Sequence, residues 1–371
     1  MRKKAYIDKS KKHVDRWVII LVAGLCIFGT VMIFSASYYD AIHSYDNPYY
    51  YLIRQLMWLA VGTIGMIFFA LTDYHFWTRL WPIIYLVGLG LLVLVLIPGV
   101  GTEVNGATRW IYIGPIAIMP GEWAKVGLIF LVTGYFSNGK KKAESFLKGI
   151  LPVGIAASIY AGLIMLQPNM STAATVVLIA AGMLVAAGAK MGQLILVGLI
   201  AGGLGFIAIM ASAYRRARLF SFLHPFDDAL GNGYQVVQGL LALGSGGVFG
   251  KGIGKSVQKN LYLPEPQNDF ITAIIGEELG FVGLIVMIVV FVFLIYRCTS
   301  IAMKAEDLTG LLLASGITTM LGVQVVINLA VVTSSMPPTG VILPFISYGG
   351  NALLIFMCLM GMMLNISKHQ K

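Results

Sequence analysis

The sequence predicts an all-α polytopic membrane protein with about ten transmembrane helices, and two observations carry that prediction. The chain is 58% hydrophobic and only 11% charged over 371 residues, where a soluble domain carries roughly 25% charged residues. Its apolar residues also fall into separate runs of about 17–25 residues, the length that crosses ~30 Å of hydrocarbon, rather than serving one buried core.

Ten such runs read as spans: 17–37, 52–71, 79–98, 120–136, 148–166, 171–188, 191–212, 268–296, 308–332 and 342–365. The first could be confused with a signal peptide. Its apolar run is too long for an h-region and nine spans follow it, so it reads as an uncleaved anchor. Only "QPNM" separates 148–166 from 171–188, and Pro168 and Asn169 suit a tight turn there. The span from 268 is long enough to tilt or protrude.

Lys and Arg set the orientation. With the N-terminus in the cytoplasm, 17 of the 26 basic residues fall inside. These include the N-terminal segment 1–16, Arg79, Lys140 to Lys142, Lys148, Lys190, Arg297 and Lys304. The expected arrangement is therefore N-in and C-in. The net charge of +10 is mostly a topology signal and gives no reason to expect nucleic-acid binding. The basic N-terminus is suited to anionic membrane lipids. Cys26, Cys298 and Cys358 lie in or at the ends of spans and suggest neither a disulfide framework nor a metal site.

A single membrane-embedded domain, 1–371, is expected, with two long outside connections at 99–119 and 213–267. Loops of this length in a compact protein are usually functional. The second is a large extracytoplasmic loop between the seventh and eighth spans. It carries Arg215, Arg216 and Arg218 near its start and Lys251, Lys255 and Lys259 near its end, with nine glycines from Gly231 to Gly254. Backbone N–H groups and cations arranged this way suit a phosphate or pyrophosphate; a flexible connector is the other reading. Nucleotide motifs fail. The "GKS" at Gly254 has Phe249 where the phosphate loop needs glycine, and an outside loop meets no ATP.

Other candidates sit at span mouths. Glu122 and Lys125, spaced i and i+3, share a helix face as a salt bridge or a site pair. Arg109, beside Trp110, serves as an interfacial anchor or a phosphate ligand. The proline- and glycine-broken "SSMPPTGVILPFISYGG" places Ser347 and Tyr348 either in a structural turn or against a wet cavity. In "LPEPQNDFITAIIGEELG", Asp269 opens a span, either as a helix cap or as a catalytic carboxylate. Glu277 and Glu278, further along, are functional groups or members of buried ion pairs.

The motifs "NGATRWIYIGP", "PGEWAK", "GYQVVQGLLALGSGGVFGKGIGKS", "LPEPQNDFI", "GEELG" and "LPFISYGG" occur in the order and spacing of the SEDS proteins (shape, elongation, division and sporulation). Across nearly its whole length the chain resembles that family, nearest the FtsW and SpoVE branch. The resemblance implies a peptidoglycan glycosyltransferase of the bacterial cytoplasmic membrane, working in cell division or sporulation. It implies that lipid II is polymerised with inversion into β-1,4-linked glycan, that the growing lipid-linked glycan is the donor and that undecaprenyl pyrophosphate leaves.

The family's catalytic Asp falls on Asp269, as general base, with Glu265 shaping the site. Its polar pair falls on Glu122 and Lys125. Arg109, Ser347 and the cations Arg215, Arg216, Arg218, Lys251 and Lys255 complete the expected substrate-binding set. A class B penicillin-binding protein is the implied partner. A divalent cation, Mg or Mn, is compatible with the pyrophosphate chemistry, though no dedicated ligand cluster is visible.

The chain departs from the family pattern at Thr108 (usually Arg), Met119 (Gln), Gly121 (Ser), Asn169 (Asp), Gln267 and Asn268 (His-Thr) and Asn351 (Ser). A flippase for the same precursor is the rival reading. It would need a polar path across the full membrane, whereas the irregular features here concentrate on the outer side.

Overall fold

The computed structural model describes residues 14–370 except 105, 106, 115, 138–142 and 232, and it leaves the side chains of 104, 208, 213–215, 218 and 221 undescribed. The basic residues of 1–13 and 140–142, and the side chains of Arg215 and Arg218, therefore lie outside the described set.

Among the described residues thirteen α-helices follow one another. α1 (Arg16–Tyr45), α2 (Tyr50–Leu71), α3 (Tyr74–Arg79) and α4 (Trp81–Leu94) come first. After a small sheet come α5 (Pro120–Phe136), α6 (Leu151–Leu166), α7 (Met170–Ala187) and α8 (Met191–Met210). Then follow α9 (Ala213–Leu223), α10 (Tyr234–Gly246), α11 (Ile271–Lys304), α12 (Leu308–Val332) and α13 (Gly350–Ser367). Among the described residues, seven helical segments are long and apolar enough to cross a membrane. The other expected spans fall on the shorter α4 and α5 and on α8, whose side chains are described without interruption as far as Ile207. The chain is a multi-pass membrane protein.

Several boundaries move. α1 runs eight residues past its expected end, to Tyr45, where Asp46 in the left-handed region (φ 51°) stops it. The final span starts at Gly350 instead of 342, because the proline-broken segment before it stays irregular. The 99–119 connection is more ordered than a loop. It forms an antiparallel sheet of β1 (Gly101–Val104), β2 (Ala107–Ile113) and β3 (Ile116–Ile118), in the order β1-β2-β3. The helical class holds with this one addition.

α5, α12 and α13 form the centre, with buried residues around most of their circumference. With lipid outside, helices gain little from hydrophobicity alone and pack through small residues that let backbones approach. A Cβ on Gly361 of α13 would run into the Met66 carbonyl of α2, and one on Gly29 of α1 would lie 2.6 Å from Ile346 Cα.

One end of the bundle is closed by polar ties. Asp15 caps α1 by accepting from Trp17 N and Val18 N, and its carboxylate pairs with Arg297 of α11. Its own N–H donates to Ser367 Oγ at 3.2 Å, which brings the start of α1 to the end of α13. Nearby, Tyr74 OH donates to Asp307 Oδ1 at 2.6 Å and His75 Nε2 lies 3.1 Å from Asp307 Oδ2. The candidate site residues gather at the other end.

Candidate functional site

The connection 213–267 is built from helices α9 and α10 and then a glycine-rich return. α10 packs Val236, Val237, Gly239, Ala242 and Gly246 inward. Gly239 faces Phe270, and Gly246 faces Gly276 and Glu277. α10 thus runs alongside the first turns of α11, in the same direction, into the bundle.

There α11 is broken. Gly280 has φ 68° and ψ −168°, which interrupts the helical hydrogen bonding. The groups released by the break are taken up by the return of the loop. Lys251 N donates to the Glu277 carbonyl (3.0 Å) and Gly252 N to the Glu278 carbonyl (2.9 Å). Phe281 N and Val282 N donate to the Gly247 and Val248 carbonyls. Backbone polar groups inside a membrane protein must find such partners. The two chains run so close that a Cβ on Gly280 would strike Gly250 N and Val248 O. At these positions glycine serves close approach, which neither a flexible connector nor an open phosphate cradle would require.

The acidic pair of "GEELG" is engaged in ion pairs, and the partners come from the loop. Lys251 Nζ lies 2.7 Å from Glu277 Oε1, and Lys259 Nζ lies 2.9 Å from Glu278 Oε1. Glu277 also accepts from Ser256 Oγ (2.5 Å), Val257 N (3.0 Å) and Gln258 N (3.2 Å). Ser35 Oγ of α1 donates to Glu278 at 2.7 Å. Lys251, expected as a pyrophosphate ligand, has its ammonium paired with Glu277 while its side chain stays a third exposed. Lys255 and Arg216 are exposed.

Asp269 lies in the turn before α11, partly exposed. The N-cap position of α11 is Phe270, with no side-chain cap, so helix capping does not account for Asp269. The segment around it is held from three sides. Asn328 Nδ2 of α12 donates to the Asp269 carbonyl at 2.8 Å. Tyr348 N donates to the Gln267 carbonyl at 2.9 Å. Gln267 Nε2 donates to Asp40 Oδ2 of α1 at 3.1 Å, and Tyr51 OH of α2 donates to the same oxygen at 2.7 Å. Glu265, exposed, accepts from Asn268 Nδ2 at 2.7 Å.

The remaining candidates have structural partners. Glu122 and Lys125 form a buried pair at 2.6 Å, and among the described residues Glu122 Oε2 has no hydrogen-bond partner. Between them Trp123 Nε1 donates to Asn351 Oδ1 of α13 at 3.2 Å, which joins α5 to the mouth of the last span. Arg109 on β2 donates to the Gln167 carbonyl at 3.3 Å and to the Pro168 carbonyl, pinning the sheet to the α6–α7 turn. Ser347 Oγ, buried, accepts from Leu343 N at 2.9 Å and closes its own turn.

Sequence reasoning missed Asn328, Asp40, Tyr51 and Ser35. Asn328 carried a usable signal: an amide inside an apolar span needs a buried partner. The others gave none, since polar residues near span ends are ordinary.

A multi-pass helical membrane protein with a carboxylate held at a span mouth is what the fold and site define. The family model for FtsW, RodA and SpoVE, described as cell cycle protein, matches residues 16–371, and the chain belongs to that family. It is 40% identical over 363 residues to "Stage V sporulation protein E" of Bacillus subtilis (strain 168), covering 97% of this chain and 99% of the relative. It is 40% identical over 358 residues to "Probable peptidoglycan glycosyltransferase FtsW" of Trichlorobacter lovleyi, covering 96% and 94%. Among solved structures it is similar to a chain from work on coordination of polymerization and crosslinking by a peptidoglycan synthase complex. That match has a TM-score of 0.78 and 28% identity and covers 96% and 99% of the two chains. The crystal structure of the rod shape determining protein RodA of Thermus thermophilus matches with a TM-score of 0.69 and 29% identity, covering 96% of each chain.

Proposed function

We propose that this chain is a peptidoglycan glycosyltransferase that polymerises lipid II into β-1,4-linked glycan, with Asp269 as general base. The observation that carries the reading is the placement of Asp269. It stands at the mouth of α11, is not spent as the helix cap, and has its backbone held by α12 and, through Gln267, by the last loop. The 4-hydroxyl of the incoming sugar attacks the anomeric carbon of the lipid-linked glycan. Its proton passes to Asp269, the bond from that carbon to the pyrophosphate breaks, and undecaprenyl pyrophosphate leaves with the electron pair. Attack opposite the leaving group inverts the configuration. A positioned base of this kind is worth typically ~10²–10⁴-fold in rate.

The end of the bundle that holds Asp269 faces outward in this reading, on the Lys and Arg asymmetry of the sequence, with both termini in the cytoplasm. In this reading the exposed Lys255 and Arg216 are among the cations that meet the pyrophosphate. Glu122, Lys125, Arg109 and Ser347 support the site by holding α5, the sheet and the last loop in register. A class B penicillin-binding protein is the proposed partner, and cell division or sporulation the proposed setting, by similarity to the relatives above. Among the described residues no group of three or more His, Cys, Asp or Glu side chains makes a metal cradle. A divalent cation such as Mg or Mn would meet the substrate's pyrophosphate more than a built protein site.

The test is polymer formation from lipid II by purified protein in detergent, where a flippase has no sidedness to work on, with and without EDTA. Wild type should form glycan, and folded Asp269→Asn that still binds lipid II should be nearly inactive. Wild-type-like synthesis by Asp269→Asn would overturn the assignment of the base.

A further inference from the structure

Asn328 lies within α12 and is 1% exposed. Burying an amide costs free energy unless it is hydrogen-bonded, and this one is well satisfied. Nδ2 donates to the Asp269 carbonyl at 2.8 Å and to the Val341 carbonyl at 2.9 Å. Oδ1 accepts from Thr272 Oγ1 at 2.8 Å. Two backbone carbonyls can only accept, so they determine which end of the amide is nitrogen.

These three bonds join separate pieces of chain. Asp269 precedes α11, Thr272 lies in its first turn, and Val341 belongs to the proline-broken segment before α13. Tyr348, further along that segment, binds the Gln267 carbonyl two residues before Asp269. Asn328 thus brings an α12 side chain into this network, and it grips Asp269 by its own carbonyl. Phe270, at the cap position, contributes no side-chain bond that would fix the turn in its place.

We infer that Asn328 is a positioning residue for Asp269, setting the backbone from which the carboxylate reaches substrate. This rests on the reading of Asp269 as general base. Misplacement of a reacting group by about 1 Å costs on the order of 10²-fold in rate. Without the amide, the turn at 267–270 keeps its tie to Tyr348 but loses its tie to α12.

The experiment measures kcat and KM for glycan polymerisation in detergent, together with the melting temperature, for Asn328→Leu and Asn328→Ser. The first is near the same size with no donor; the second is smaller and can still donate one hydrogen bond. Each is also combined with Asp269→Asn. In the Asp269 background, Asn328→Leu should lower kcat about 10²-fold with KM little changed, and Asn328→Ser should fall between it and wild type. In the Asp269→Asn background, neither should lower residual turnover further, because no base remains to be positioned. A role in stability alone predicts a lower melting temperature and wild-type kcat in whichever variant folds, and that result would overturn the inference. Activity in Asp269→Asn itself would overturn the base assignment instead, so the two failures are distinguishable.

Discussion

Lys259 Nζ lies 2.9 Å from Glu278 Oε1 and 3.0 Å from Ser35 Oγ, with both charged side chains almost fully buried. The loop that leaves α8 is therefore anchored about two turns inside α11, to a carboxylate that α1 also holds. Breaking a buried pair on one side leaves an uncompensated charge, at a cost of ~3–5 kcal/mol. Lys259→Met and Glu278→Gln should each lower the thermal stability of the detergent-solubilised protein. The double variant should recover much of the loss. A double variant no better than the worse single one would show that the pair is not the source of the effect.

The Lys251–Glu277 pair predicts a smaller change. The Lys251 side chain is a third exposed, and Glu277 keeps its bonds from Ser256, Val257 and Gln258 when the lysine is removed. Lys251→Ala should cost clearly less stability than Lys259→Met in the same melting assay. The reverse order would mean that the contacts from Ser256, Val257 and Gln258 do not compensate the carboxylate.

Glycine substitutions should separate close approach from mere flexibility. A Cβ at Gly280 would collide with the Gly250 amide, whereas Gly254 (φ 82°) has open space around it. Gly280→Ala should prevent accumulation of folded protein, read by fluorescence-detected size exclusion. Gly254→Ala should cost only about 1 kcal/mol for its left-handed backbone. Equal behaviour of the two would contradict the packing of the loop into the break.

The polar cluster at the closed end should be sensitive to acid. Burial pushes the Asp307 carboxyl up, but hydrogen bonds from Tyr74, Gly310 and His75 outweigh it and hold the group below its ordinary range. A depressed carboxylate contributes stability that is present above its unfolded value, ~3.9, and lost as pH falls through the lower folded value. Melting temperature should therefore drop below about pH 4 in wild type and drop less in Asp307→Asn. Parallel curves would remove Asp307 from the account.

Orientation is open to direct measurement. Asp227 is exposed in the connection between α9 and α10. Asp227→Cys, in a background with Cys26, Cys298 and Cys358 replaced, should react with an impermeant maleimide added to intact protoplasts. Labelling only after lysis would reverse the proposed sidedness and with it the outward placement of Asp269.

Some of the site was legible in the chain and some was not. α5 and α12 begin and end where apolar length and turn residues place them, at 120–136 and 308–332. Glu277 and Glu278 stood out as carboxylates in an apolar run, and a buried ion pair was one of the readings. Their partners could not be named, because Lys251, Lys255 and Lys259 are alike in sequence and only the path of the loop decides which are buried.

The sequence by itself determined that the chain lives in a membrane, because backbone groups there must be satisfied locally by helices and each crossing needs its own apolar run. It also determined, through its prolines and glycines, that the segment before α13 would be irregular. Tertiary structure alone decided that the 213–267 connection enters the bundle, that Gly280 breaks α11 to receive it, and that Asn328 holds the Asp269 carbonyl. Those outcomes depend on backbone groups meeting the backbone of the returning loop or a side chain of another helix. Such pairings are chosen by packing geometry, which no local pattern of residues encodes.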